Sequence, residues 1–122
     1  VYVAEHETDG VIGFGSAGAS RDRELVHRGE IYALYLLDEY HGMGIGKALF
    51  LALSARLLEE RRPSLVVWVL SSNPSRYFYE TLGGRRVATR RERMGGVEVE
   101  ETAYGWEDLN HLVAIGGSGD TE

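Results

Sequence analysis

What most constrains this chain is a pair of nearly continuous apolar runs, Glu30–Leu37 (EIYALYLL) and Ser64–Leu70 (SLVVWVL). A strand with one wet face would alternate polar and apolar residues. These runs do not, so they read as strands buried on both faces. Between them, Ile45, Ala48, Leu49, Ala52, Leu53 and Leu57 recur at three- and four-residue spacing. That spacing predicts a helix over Ala48–Glu60. Arg61 and Arg62 suit its C-terminal dipole, and Pro63 stops it. Strand, helix and strand in this order imply a right-handed crossover between parallel neighbours.

The flanking segments supply antiparallel strands. Val1–His6 and Val11–Ala17 are β-prone and separated by a turn containing Asp9-Gly10, a hairpin signal. Gly18–Gly29 is polar apart from Leu25-Val26 and reads as a loop. Asn73-Pro74 opens a short helix that runs to about Leu82, where Gly83-Gly84 ends it. Val87–Arg93 and Val97–Tyr104 flank a second hairpin turn, Met94-Gly95-Gly96. The expected order is β-β, β-α-β-α, β-β: an α/β fold with a mixed, mostly antiparallel sheet around a central parallel pair. A chain of 122 residues makes one domain, placed at 1–113. Residues 114–122 are glycine-rich with nothing to bury and read as a flexible tail.

Composition excludes several functions. There is no cysteine, so disulfides, thiolate metal sites and a cysteine nucleophile are out. The four histidines are scattered, with no paired metal-ligand spacing, and no metal is expected. A net charge of −6 disfavours a nucleic-acid surface. No apolar run is long enough to span a membrane and no signal peptide is visible, which reads as cytoplasmic. Glu98–Glu101 reads as a solvated charge run; the alternative is a cluster that attracts a cationic amine at a cleft mouth.

The chemistry concentrates in His41-Gly42-Met43-Gly44-Ile45-Gly46-Lys47, which follows the first buried strand and opens the helix. Glycines admit a ligand close to the backbone, and the first amides of a helix carry partial positive charge, so the turn suits a diphosphate. The dinucleotide fingerprint fails because Lys47 or Leu49 stands where its last glycine belongs. The Walker loop fails at His41 and Ala48.

The stretch E-I-x-x-L-Y-L-x-x-E-Y-H-G-M-G-I-G-K-A-L resembles the acetyl-CoA-binding signature of the GCN5-related N-acetyltransferase superfamily. His41 stands where that signature usually has Arg or Gln. A second segment, Asn73–Gly83, resembles the superfamily's downstream motif, with Arg76 in place of a small alanine and Gly84 in place of phenylalanine. The resemblance covers about residues 1–109. It implies a parallel pair splayed around acetyl-CoA, with the pantetheine on the backbone of Leu34, Tyr35 and Leu36. A bulge there would free an amide to polarise the acetyl carbonyl. The diphosphate would lie on the amides of Gly42–Lys47. Asn73 would bond the pantetheine arm, or it is simply the helix N-cap. Tyr79 matches the tyrosine that protonates the leaving thiolate; the alternative is a packing tyrosine. Glu30 matches a glutamate that some members use as base; the alternative is an exposed strand-edge carboxylate. Tyr104 and Trp106 either line the acceptor pocket or pack the last strand, and packing is the preferred reading.

Members of the superfamily normally begin with a strand and one or two helices ahead of the first hairpin. The chain starts at about the second strand, so these elements are expected to be missing here. Apolar sheet surface is then left for a partner subunit to cover, as in a homodimer. The implied function is transfer of an acetyl group from acetyl-CoA to a primary amine of a small molecule or peptide. The alternatives are a non-catalytic acyl-CoA-binding domain, kept open by the departures at His41, Arg76 and Gly84, and an unrelated mononucleotide-binding domain, disfavoured by the failed glycine fingerprints.

Overall fold

A computed structural model describes residues 1–22 and 24–112. The expected tail therefore lies outside the described residues. The elements are β1 (Tyr2–His6), β2 (Gly10–Ala19), β3 (Gly29–Leu36), α1 (Ile45–Glu59), β4 (Leu65–Leu70), α2 (Ser75–Thr81), β5 (Arg85–Met94) and β6 (Val97–Trp106). A single 3-10 turn, Asp38–Tyr40, precedes the glycine turn. The expected order of elements is present. β2 runs two residues further than its apolar pattern suggested, because Gly18 and Ala19 still pair with Glu30 and Gly29. α1 starts three residues earlier than Ala48, at Ile45.

The six strands form one sheet in the order β1-β2-β3-β4-β6-β5. Among the described residues only β3 and β4 are parallel, and their ladder is short: Gly29 with Leu65, Glu30 with Val66 and Ile31 with Val67. β3 continues to Leu36 on β2, and β4 continues to Leu70 on β6. Past Ile31 and Val67 the two strands have other partners, and the sheet forks between them.

The core lies on the face that carries the helices. Ile31, Leu65, Val67, Tyr104 and Trp106 point into it from the strands, and Phe50, Leu53 and Leu57 from α1. Phe50 is fully buried, with its ring centroid 5.0 Å from Trp106 and 6.3 Å from Tyr79. The opposite face carries no helix among the described residues. β3 is accordingly buried on both faces only over Gly29–Ile31. Further along, Tyr35 is 53% exposed, and its ring pairs with the exposed Phe14 at 5.9 Å. The expectation of a strand buried throughout fails at this half, because nothing described packs on its outer side.

Candidate acyl-coenzyme A cleft

On the helix side of the fork lies a cleft of about 660 Å³. One wall is the end of β3, Leu34–Leu36. The floor is the glycine turn with the first turn of α1, and the other wall is the start of α2. Gly42 and Gly44 both have φ of +80°, the left-handed region where a side chain costs about 1 kcal/mol or more. The turn folds this way because both positions are glycine. Gly44 then serves as the N-cap of α1, with no side chain capping the helix. The Ala48 N–H is the first to find a helical carbonyl, on Gly44 at 3.0 Å. The amides of Ile45, Gly46 and Lys47 precede that bond and have no partner within the helix. No acidic residue stands in the first turn. Lys47 lines the cleft, so a helix dipole and a full charge favour an anion here.

His41, Gly42, Gly44, Gly46, Lys47, Asn73 and Tyr79 all line the cleft, as do Leu34, Tyr35 and Leu36. Met43 and Ile45 do not, and Met43 is largely exposed. The His41 ring folds back, its Nε2 3.0 Å from the Leu36 carbonyl at the end of β3. Asn73 Oδ1 accepts the Ser75 N–H at 2.8 Å, a capping bond, although Pro74 occupies the cap position itself. Arg76 has a local use: its guanidinium donates to the Ser71 carbonyl and to the Tyr77 hydroxyl, both at 2.9 Å. Gly84 leaves no room for the motif's phenylalanine, since a Cβ there would lie 2.7 Å from the Trp106 ring. Trp106 supplies the aromatic surface from β6 instead.

Tyr79 is 5% exposed, its ring among those of Phe50, Phe78, Tyr104 and Trp106. Burial alone pushes its phenol up to about 12, with no hydrogen-bond partner contributing. It is thus both a packing residue and a protonated hydroxyl at the cleft. Phe78, Ser75 and Leu49 line the cleft too and were not singled out from sequence. The helical period that places Ser75 and Phe78 beside Tyr79 could have found the first two.

Three expectations are corrected. The irregularity in β3 does not lie at Leu34–Leu36. Ser16 pairs with Ala33 and Ala17 with Ile31, so Tyr32 is the extra residue. The Tyr32 hydroxyl donates to the Ala19 carbonyl, and the Arg21 guanidinium lies 4.4 Å over its ring. Glu30 is not an exposed edge carboxylate. It is 3% exposed, and both its oxygens are held by Arg21, Oε1 by the backbone N–H at 2.9 Å and Oε2 by Nη2 at 2.7 Å. It points to the bare face, away from the cleft. Within Glu98–Glu101, Glu101 is buried against Arg90 rather than solvated. Of the histidines, His27 is buried with neither ring nitrogen partnered among the described residues, and burial lowers its pKa. Among the described residues no cluster of His, Asp and Glu could hold a metal ion, and no helix is long and apolar enough to cross a membrane.

With this geometry in place, comparison with known proteins is informative. A family model described as FR47-like protein matches residues 17–94. A Bacillus subtilis (strain 168) protein described as an uncharacterized N-acetyltransferase, YuaI, is 39% identical over 115 residues, covering 94% of this chain and 66% of that protein. The ribosomal-protein-alanine N-acetyltransferase from Brucella melitensis superposes with a TM-score of 0.70 at 22% identity, over 85% of this chain and 65% of that one. An N-acetyltransferase from Staphylococcus aureus Mu50 gives 0.69 at 20% identity, over 85% and 64%. This chain therefore spans a little under two thirds of the length of each. The structural likeness shows a shared fold, and the family model covers well over half of the sequence. The chain belongs to the FR47-like family of the GCN5-related N-acetyltransferase superfamily.

Proposed function

We propose that the protein transfers an acetyl group from acetyl-CoA to a primary amine. The observation that carries this reading is the coincidence of the forked parallel pair, the uncapped glycine turn and the Tyr79 hydroxyl in one cleft. Acetyl-CoA would lie along it with the diphosphate on the amides from Gly42 to Lys47. The pantetheine would run beside Leu34–Leu36 and Asn73. Past Ile31, β3 has no partner on its β4 side among the described residues, so the backbone there is available to pantetheine and to the acyl oxygen as charge develops on it.

Attack by a neutral amine breaks the carbon–sulfur bond and leaves a thiolate. Tyr79 is the donor to that sulfur. A phenol held near 12 is a weaker acid than a thiol of about 8.5. Its proton therefore stays on the oxygen and is donated to the sulfur as a hydrogen bond that strengthens as the thiolate charge develops; the released thiolate takes its proton from solvent. In return, the donor stays protonated throughout the physiological range. Glu30 anchors Arg21, and the proton lost by the amine leaves through water. In this reading the protein acts in the cytoplasm on a small molecule or peptide amine.

Calorimetric titration with acetyl-CoA, with desulfo-CoA and ATP as controls, tests the cleft. Micromolar binding of both coenzyme A species and none of ATP is expected. Thiol release on addition of amines then tests transfer. ATP binding as tight as that of acetyl-CoA overturns the reading.

A further inference from the structure

The glycine turn has little packed on it among the described residues. A Cβ built on Gly42 or on Gly44 would meet no atom within 4 Å. Glycine is also the most permissive backbone, so the amides of Ile45, Gly46 and Lys47 keep one direction only if the turn is fixed at both ends. On the α1 side, Leu49 and Phe50 fix it by burial. On the β3 side, the 3-10 turn Asp38–Tyr40 buries no residue. Polar bonds must hold that end.

Two of these bonds reach across to the β1–β2 hairpin. The Leu37 N–H, just past β3, donates to the Ile12 carbonyl at 2.9 Å. The Tyr40 hydroxyl donates to Asp9 Oδ2, in the turn between β1 and β2. The Tyr40 ring lies beside that of His6, with centroids 5.5 Å apart. His6 Nδ1 accepts the Thr8 and Asp9 N–H groups at 3.1 and 3.2 Å, which fixes the turn that presents Asp9. Within the segment itself, the Tyr40 and His41 N–H groups donate to the carbonyls of Leu37 and Asp38, and the His41 ring reaches back to Leu36. Those bonds stay inside one short stretch and cannot orient it against the sheet. Tyr40 is thus the side chain that ties the entry of the glycine turn to a strand pair far away in the chain, and it is not among the residues lining the cleft.

Resting on the acetyl-CoA reading above, we infer that Tyr40 is a positioning residue: its bond to Asp9 sets the glycine turn, and with it the anion cradle, before the cofactor arrives. Without the bond the turn samples more conformations, and the apparent affinity falls with the fraction that can take the diphosphate. A hydrogen bond of this kind shifts such an equilibrium about three- to ten-fold.

The test titrates the full chain and its variants with desulfo-CoA and follows their thermal melting. Tyr40→Phe should weaken desulfo-CoA binding about three- to ten-fold. Asp9→Asn keeps an acceptor oxygen in the same turn and should lose less. The double variant should bind as Tyr40→Phe does, because both substitutions act through one bond. A merely structural bond would lower the melting midpoint and leave the affinity of the folded protein unchanged. Unchanged affinity in Tyr40→Phe, or losses that multiply in the double variant, overturns the inference while leaving the cofactor reading intact. Failure of the unsubstituted chain to bind desulfo-CoA removes the acetyl-CoA reading, and the inference with it.

Discussion

Replacing Tyr79 by phenylalanine removes one hydroxyl and leaves the ring in place, 5.1 Å from Phe78, 6.2 Å from Trp106, 6.3 Å from Phe50 and 6.5 Å from Tyr104. Among the described residues the hydroxyl has no hydrogen-bond partner, so its loss orphans none of them. At neutral pH the stability should change by less than about 1 kcal/mol, in the stabilising direction if at all. In alkali the two proteins should part. The phenol ionises near 10 when unfolded and near 12 in the fold, because burial disfavours the phenolate. The native state therefore holds the proton more tightly. That contribution is fully present below pH 10 and is lost as pH rises towards 12. It amounts to roughly 3 kcal/mol. The Tyr79→Phe protein lacks this loss. Activity should respond differently: a positioned proton donor contributes about 10²–10⁴-fold. Transfer measured by thiol release should fall at least about 100-fold, while the calorimetric affinity for acetyl-CoA holds within about two-fold. Undiminished turnover would refute the donor role. Weakened cofactor binding would instead make the hydroxyl a binding group. A large loss of stability at pH 7 would refute the absence of a partner.

Two further substitutions probe the cleft and the fork. Gly44→Ala places a side chain at φ +80° where nothing lies within 4 Å, so the cost is backbone strain alone, about 1–2 kcal/mol. Thermal melting should fall by a few degrees, and acetyl-CoA affinity by about ten-fold or more as the amide cradle shifts; unchanged affinity would show that the cradle is not the anion site. Glu30→Gln leaves the Arg21 contacts without their countercharge in a buried setting and should destabilise by about 1–3 kcal/mol. Turnover should drop only a few-fold, with the shape of its pH profile unchanged. Loss of a basic limb from that profile would restore Glu30 as the base.

The sequence by itself determined the order of elements, the parallel pair and the glycine turn. Each of these is written locally. Apolar runs without alternation mark the central strands, periodic apolar residues mark α1, and Gly42 and Gly44 allow a turn that other residues resist. Most of the cleft was legible for the same reason, since His41–Lys47 and Asn73–Tyr79 are contiguous segments that the crossover brings to one end of the sheet. Only the tertiary structure decided what depends on partners distant in the chain. The Tyr32 bulge follows from how β2 and β3 fall into register. The engagement of Glu30 follows from a loop that returns Arg21 to it. The high pKa of Tyr79 follows from aromatic rings contributed by α1, α2 and β6. The anchorage of the glycine turn follows from a hairpin that brings Asp9 to Tyr40. Burial, pairing and proton affinity are properties of surroundings, and distant segments supply those surroundings only once the chain has folded.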